Sequence, residues 1–354
     1  MIIMRPAIEK DVQDILDLSL FTGGGLTTLP NDEQTIANRV MRSLRTWSKE
    51  LPLSEQGYLF VMEDTSLNKV VGVCAIEVAV GLSEPWYSYR VTKEVHASKA
   101  LNVYQTLSTL VLSNDHTGYS ELCTLFLSPN YRKGALGRLL SKSRLLFIAA
   151  NRELFPDVII AELRGFRDEN NQSPFWENIG KHFFSMEFDD VDFLSGTGQK
   201  AFIAELMPKH PLYVDLMPQQ VKNCIGEVHL QTIPARKMLE REGLRFQNHI
   251  DIFDGGPALE AQIDEVKTIK ESQLMVWDID ETISLYDHEN SEAEFDKIHS
   301  TILCLVANEQ IEVELYKVTV CFAKILENRL YLHPAVIKAL HLKSGHLVRM
   351  KQLS

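Results

Sequence analysis

The chain has 354 residues, 45% of them apolar and 24% charged, which excludes a wholly disordered protein and leaves ample material for a buried core. At about 150 residues per domain, that length suggests two to three domains. Lys and Arg number 36 against 48 Asp and Glu, a formal net charge of −12. That balance argues against a sequence-independent nucleic-acid binder, yet allows a phosphorylated ligand held by a few local cations. The five cysteines (Cys74, Cys123, Cys224, Cys304, Cys321) form no C-x-x-C pair, so no zinc ribbon or thioredoxin-type motif is expected. They sit mostly in apolar runs and read as buried thiols of a reducing compartment. No signal-peptide pattern opens the chain, and its purest apolar run, Leu145 to Ala150, falls far short of the ~18 residues of a membrane span. The expectation is a soluble cytoplasmic protein with no membrane partner and no metal.

In chain order, Ile2 to Met4 reads as a strand and Val12, Ile15 and Leu16 as the apolar face of a helix. The segment FTGGGLTTLP must be a loop. A second helix follows, capped by Asn31 or Asp32, with Ile36, Val40, Leu44 and Trp47 as its buried stripe. Gly57–Glu63 and Lys69–Val80 form a hairpin. A strand is expected around Thr106–Leu112 and another at Glu121–Leu127, then a helix from about Ala135 to Asn151. Strand-like runs recur at Val158–Leu163, Ala201–Leu206 and Ile225–Leu230. A helix from about Pro234 stops at Gly243, which suits the left-handed position after a helix end. Composition shifts near Val266: an acidic stretch, Asp278 to Asp296, precedes short β-like runs. These patterns predict an α/β (α+β) domain over residues 1–266 and a small mostly-β domain over 267–354, barrel-like by the resemblance of its last segment to known small barrels.

The stretch most suggestive of chemistry is the strand–turn–helix from Glu121 to Ala150. Gly134, Ala135 and Gly137 allow close backbone approach, and the first turn of the helix offers unpaired N–H groups to an anion. Arg132, Lys133, Arg138, Lys142 and Arg144 lie within residues 132–144 with no acid among them. A pyrophosphate cradle and a solvated cationic helix face explain these residues equally well.

Arg132-x-x-Ala135-x-Gly137 resembles the acyl-coenzyme A motif Gln/Arg-x-x-Gly-x-Gly/Ala of the GNAT acyltransferase superfamily, with Ala135 in place of the middle glycine. The opening MRPAIEKDVQDILDL, the hairpin and Ala235–Leu244 match that superfamily in the right order. More closely, FTGGGLTTLP, LCTLFLSPNYRKGALGRLLSKSRLLFIA, AELRGFRDENNQSPFWENIGKHFF, FIAELMP and HIDIFDGGP resemble segments of the arginine N-succinyltransferase family across nearly all of residues 1–266. A shorter stretch near the C-terminus, Leu332 to Arg349, is similar to a segment of double-psi-type barrels. The resemblance implies a GNAT-like fold with insertions. It also implies attack of the L-arginine α-amine on the thioester of succinyl-coenzyme A (succinyl-CoA), the opening step of succinyl-dependent arginine degradation.

It further implies His229 as general acid/base, an imidazole being able to carry that proton near neutral pH. Taken alone, any one of the eleven histidines is more often a surface or core residue, and His182 competes. Leu125, Phe126 and Leu127 are implied as main-chain partners of the pantetheine arm, and Arg132, Gly137 and Arg138 as phosphate contacts. Succinyl-CoA is expected as a co-substrate, with no cofactor permanently bound. Glu162, Asp168, Glu205 and Asp254 are possible partners of a guanidinium, and Arg164 and Arg167 of carboxylates. Cys123 and Cys224 read as buried thiols, not acyl carriers. Alternatives are an ornithine or broader amino-acid acyltransferase and a non-catalytic acyl-CoA-binding subunit. The C-terminal strands are a possible homo-oligomer contact.

Overall fold

The computed structural model describes residues 1–22, 26–197, 201–288, 301–310 and 312–353. Its strands are β1 (Ile2–Pro6), β2 (Gly57–Asp64), β3 (Lys69–Glu77), β4 (Ser88–Ser98), β5 (Val103–Ser113), β6 (Ser120–Leu127), β7 (Val158–Glu162), β8 (Leu212–Tyr213), β9 (Arg245–Ile250), β10 (Pro257–Gln262), β11 (Gln273–Ile279), β12 (Ile302–Asn308), β13 (Val318–Leu326), β14 (Arg329–Leu332) and β15 (Leu347–Gln352). They join in the order β12-β15-β11-β14-β13-β1-β2-β3-β6-β7-β10-β9-β4-β5-β8. An additional β12–β13 pairing closes the five C-terminal strands into a small barrel. The barrel continues the rest of the sheet, because β13 pairs with β1 at Ile3↔Thr319 and Met4↔Val318.

Alternation along β2 decides what covers each face of the sheet. Leu59 and Val61 face α1 (Val12–Ser19) and α2 (Glu33–Trp47), where Ile15, Ile36 and Val40 are buried. The side chain of Asp32 accepts the Thr35 N–H at 2.7 Å and starts α2. Tyr58, Phe60 and Met62 face α3 (Leu136–Ala150), a helix buried on most sides because the C-terminal segment covers it too. Phe147 shows this: its ring lies 4.7 Å from Tyr58, 5.1 Å from Trp47 and 5.2 Å from both Phe60 and Tyr316. Phe147→Ala should therefore cost about 3–5 kcal/mol of stability, read as a lower urea midpoint.

A second core, around Phe175, Trp176, Phe184 and Ile252, supports the segments inserted after β7. Here two expected strands are absent. Ala201–Leu206 is not a strand but a helix, α4, whose Ile203 and Met207 bury one face. Short apolar runs do not separate strand from helix by period, and Ala, Leu and Glu favour the helix. Ile225–Leu230 is not a strand either. Gly226, at φ +74, turns the chain, leaving a single bridge from Gly165 to Val228 and a 3-10 turn over Leu230–Thr232. β4 was not anticipated because it pairs with β5 in a ribbon whose residues 93–97 are exposed, with no apolar alternation to read. The helix before Gly243 is present as α5 (Ile233–Glu242), with Gly243 at φ +107. The glycines of FTGGGLTTLP and residues 289–296 of the acidic stretch lie outside the described residues. Among the described residues, no helix is long and apolar enough to cross a membrane.

Candidate active site

Strands β6 and β7 run parallel only at Ser120↔Ile159 and Glu121↔Ile160. Beyond that point β6 stays with β3 and β7 with β10, so the sheet opens between them. A bulge widens the opening: Thr124 has φ +53, and the β3–β6 register shifts between Val73 and Ala75. Arg144 of α3, 1% exposed, fixes the bulge by donating Nη1 to Cys123 O at 3.1 Å and Ala75 O at 3.4 Å. The gap is the mouth of a cavity of about 1180 Å³.

Leu125, Phe126 and Leu127 form one wall, and Arg132, Lys133, Gly137 and Arg138 line the turn into α3. Arg132 donates Nε to Leu127 O at 2.9 Å and stands 5.4 Å from the Phe126 ring. The other two cations of the run go elsewhere, Arg144 to the bulge and Lys142 to Glu242 at 2.8 Å. Gly134 takes φ +55, and the next N–H, of Ala135, donates to the Tyr286 hydroxyl at 2.7 Å. Tyr286 is a neighbour of this turn that no local signal could reveal, since it comes from the acidic stretch beyond β11.

The opposite end of the cavity is acidic. Glu162, at the end of β7, presents a buried Oε1 with no hydrogen-bond partner among the described residues. Burial, then the nearby Asp251 and Glu121, pushes its carboxyl well above the usual range. Asp251 and Asp254 also line this end, but each holds a turn. Asp251 Oδ1 accepts the N–H groups of Phe253 and Asp254 at 2.7 and 2.8 Å. Asp254 accepts those of Gly165 and Gly256 at 2.6 and 2.8 Å. Of the four acids singled out in the sequence, Glu162 and Asp254 reach the cavity. Asp168 is tied to Asn170 and Gln172 of its own loop, and Glu205 is exposed on α4. Arg164 lines the cavity with a buried Nε that has no partner among the described residues, whereas Arg167 lies over the Phe188 ring at 4.1 Å and donates to Asn171 O.

His229 is half-buried and precedes the 3-10 turn, its Nδ1 accepting Gln231 N–H at 3.2 Å. It is not among the cavity-lining residues; the wall begins with Gln231 and Thr232. Burial, then the positive Arg164 and Arg167, holds its pKa below the ordinary 6.5. His182 is exposed on a short helix away from the cavity. Burial pushes the Cys123 thiol up to about 12 and the Cys224 thiol to about 11, so neither is a thiolate near neutral pH.

A sheet splayed at a bulged strand, with a cation-bearing turn leading into the next helix, agrees with the acyltransferase fold that the sequence resemblance implies. The chain belongs to the arginine N-succinyltransferase family: residues 2–268 match the family model described as arginine N-succinyltransferase beta subunit. It is 51% identical over 353 residues to the arginine N-succinyltransferase of Shigella sonnei, an alignment spanning 100% of this chain and 98% of that protein. The figures are the same for the protein of that name from Escherichia fergusonii. Arginine/ornithine succinyltransferase subunit AI from Pseudomonas aeruginosa has the same fold, with a TM-score of 0.88 and 30% identity over 100% of this chain and 99% of that one. The chain is thus an acyltransferase whose likeness to these proteins extends through the C-terminal barrel.

Proposed function

We propose that the chain transfers the succinyl group of succinyl-CoA to the α-amine of L-arginine, giving N2-succinyl-L-arginine and coenzyme A. The observation that carries this reading is a single cavity with cations at the turn into α3 and buried acid at Glu162. The first end suits a pyrophosphate, with Arg132 and Arg138 as its cations, Gly137 allowing close approach and the backbone of Leu125 to Leu127 beside the pantetheine arm. The second suits a guanidinium on Glu162, with Arg164 available to a carboxylate. Coenzyme A enters and leaves as a co-substrate.

The α-ammonium loses a proton, the freed amine attacks the thioester carbon and the C–S bond breaks; of the two protons the nitrogen gives up, one passes to solvent and the other ends on the departing sulfur. His229 carries that proton in this proposal. Its lowered pKa supports a neutral ring at pH 7, able to accept a proton and, once charged, to release it readily. The contact with Gln231 N–H puts the neutral ring's proton on Nε2 and the lone pair on Nδ1. Accepting the ammonium proton therefore requires that contact, long at 3.2 Å, to open. Holding both substrates in one cavity supplies much of the remaining rate.

Thiol release should be measured with succinyl-, acetyl- and malonyl-coenzyme A crossed with arginine, ornithine and lysine. Release confined to succinyl-CoA with arginine supports the proposal; release with ornithine as well widens the substrate. No release from any pair, with coenzyme A still bound, overturns it in favour of a non-catalytic subunit. Gly134→Ala should raise KM for the acyl donor about 5- to 30-fold. The left-handed backbone costs a non-glycine residue about 1–2 kcal/mol, and the new Cβ would clash with the Tyr286 hydroxyl. The proposal also puts the enzyme in the cytoplasm, where its five buried thiols stay reduced, and allows copies to associate, which light scattering on a sizing column tests.

A further inference from the structure

We propose that His116, His249 and Glu260 form a binding site for a first-row divalent cation, zinc(II) foremost, outside the acyl-transfer cavity. These residues are far apart in sequence, in no spacing that suggests a metal site, and the fold brings them together. His116 lies in the turn after β5, His249 on β9 and Glu260 on β10. Their ligand atoms all fall within 4.8 Å of one another. None of the three lines the acyl-transfer cavity.

His116 carries the argument. It is 0% exposed, and both of its ring nitrogens are buried without a hydrogen-bond partner among the described residues. A buried imidazole with neither nitrogen satisfied is rare, and a metal would satisfy one of them. His249 supplies the second ligand. A bulge in β9 around Asn248, at φ +67, turns it toward Glu260. Its Nδ1 stands 3.4 Å from Glu260 Oε1, long for a hydrogen bond. That separation matches adjacent ligands of a tetrahedral zinc site, which at metal distances of ~2.0–2.2 Å lie about 3.3–3.6 Å apart. The other nitrogen, Nε2, is 3.0 Å from Asp115 Oδ2, the carboxylate that metal-binding histidines commonly engage behind the ring. Two neutral imidazoles, Glu260 and Asp115 together balance a double positive charge. A simple ion pair of charged His249 with Asp115 and Glu260 would explain His249 but leave His116, 4.4 Å away ring to ring, unexplained.

The site would pin the 114–119 turn to β9 and β10. That turn also holds the cavity-lining loop before β4, through Asn114 Nδ2 to Trp86 O. The test uses untagged full-length protein, stripped with chelator and titrated with cobalt(II) and zinc(II). The expected result is about one equivalent of cobalt with visible bands of four- or five-coordinate N/O ligation, displaced by zinc, and a melting temperature that rises with added zinc. His116→Gln should abolish the bands, and Asp115→Asn should weaken binding about 10- to 100-fold. Should His116→Gln fail to fold, Glu260→Gln at the partly exposed rim gives the same reading. No cobalt bands in the unmutated protein, or uptake unchanged in the ligand variants, overturns the site and leaves any bound metal on surface histidines.

Discussion

Glu162→Gln should raise KM for arginine about a hundred- to a few-thousandfold while leaving KM for succinyl-CoA within a few-fold. Removing one partner of a buried charge pair costs about 3–5 kcal/mol, and each 1.4 kcal/mol is a factor of ten. The pH dependence follows from the direction of the Glu162 shift. A raised carboxyl pKa leaves the side chain neutral over more of the acidic range, so arginine affinity should improve as pH rises through that pKa. The variant should lose this dependence. Stability runs the other way. In the ligand-free protein the folded state holds this proton more tightly than the unfolded chain, so the group's contribution falls as pH rises above the ordinary carboxylate value. Glu162→Gln should therefore be more stable than the unmutated protein near neutral pH, although a poorer binder. An unchanged arginine KM would sink the assignment.

His229→Ala should lower kcat about 10²- to 10⁴-fold with coenzyme A binding retained, the usual scale for a lost acid/base group. Because burial and two arginines hold the His229 pKa below 6.5, the base form persists into mildly acidic solution. The acid limb of kcat should thus lie below pH 6.5 in the unmutated enzyme. Turnover within tenfold of the unmutated protein would show that another group carries the proton. His229→Gln, which keeps much of the ring's bulk but cannot take up a proton, separates chemistry from packing.

What could be read from the chain was local. Strand, turn and α3 follow one another without interruption, so the cavity-lining segment from Leu125 to Arg138 is legible in the chain alone. Arg144 was misjudged because a helix turns about 100° per residue. Six positions beyond Arg138 it points to carbonyls of β3 and β6, not to the turn. The acids were ambiguous because loop carboxylates also cap their own turns. Asp168 and Asp254 do so, and only the fold distinguishes them from Glu162. Tyr286 and the His116–His249–Glu260 cluster had no sequence signal, since each is made by long-range pairing. The same holds for Ile225–Leu230, where β-formers lost to one glycine that must turn left.

The β1–β13 junction bears on how the chain is made. Ile3 finds its partner in Thr319, whose hydroxyl also donates to Ile2 O at 2.7 Å. β1 must therefore leave the ribosome long before its β13 partner is made. At about 5–20 residues per second, that delay is about 15–60 s. During it, β2 can shield only one edge of β1, and the α3 face awaits Tyr316 and Val318. A nascent chain stalled before residue 318 would display an open strand edge beside bare apolar surface, the combination that chaperones bind. Closure of the β1–β13 junction is thus a late event in the making of this enzyme.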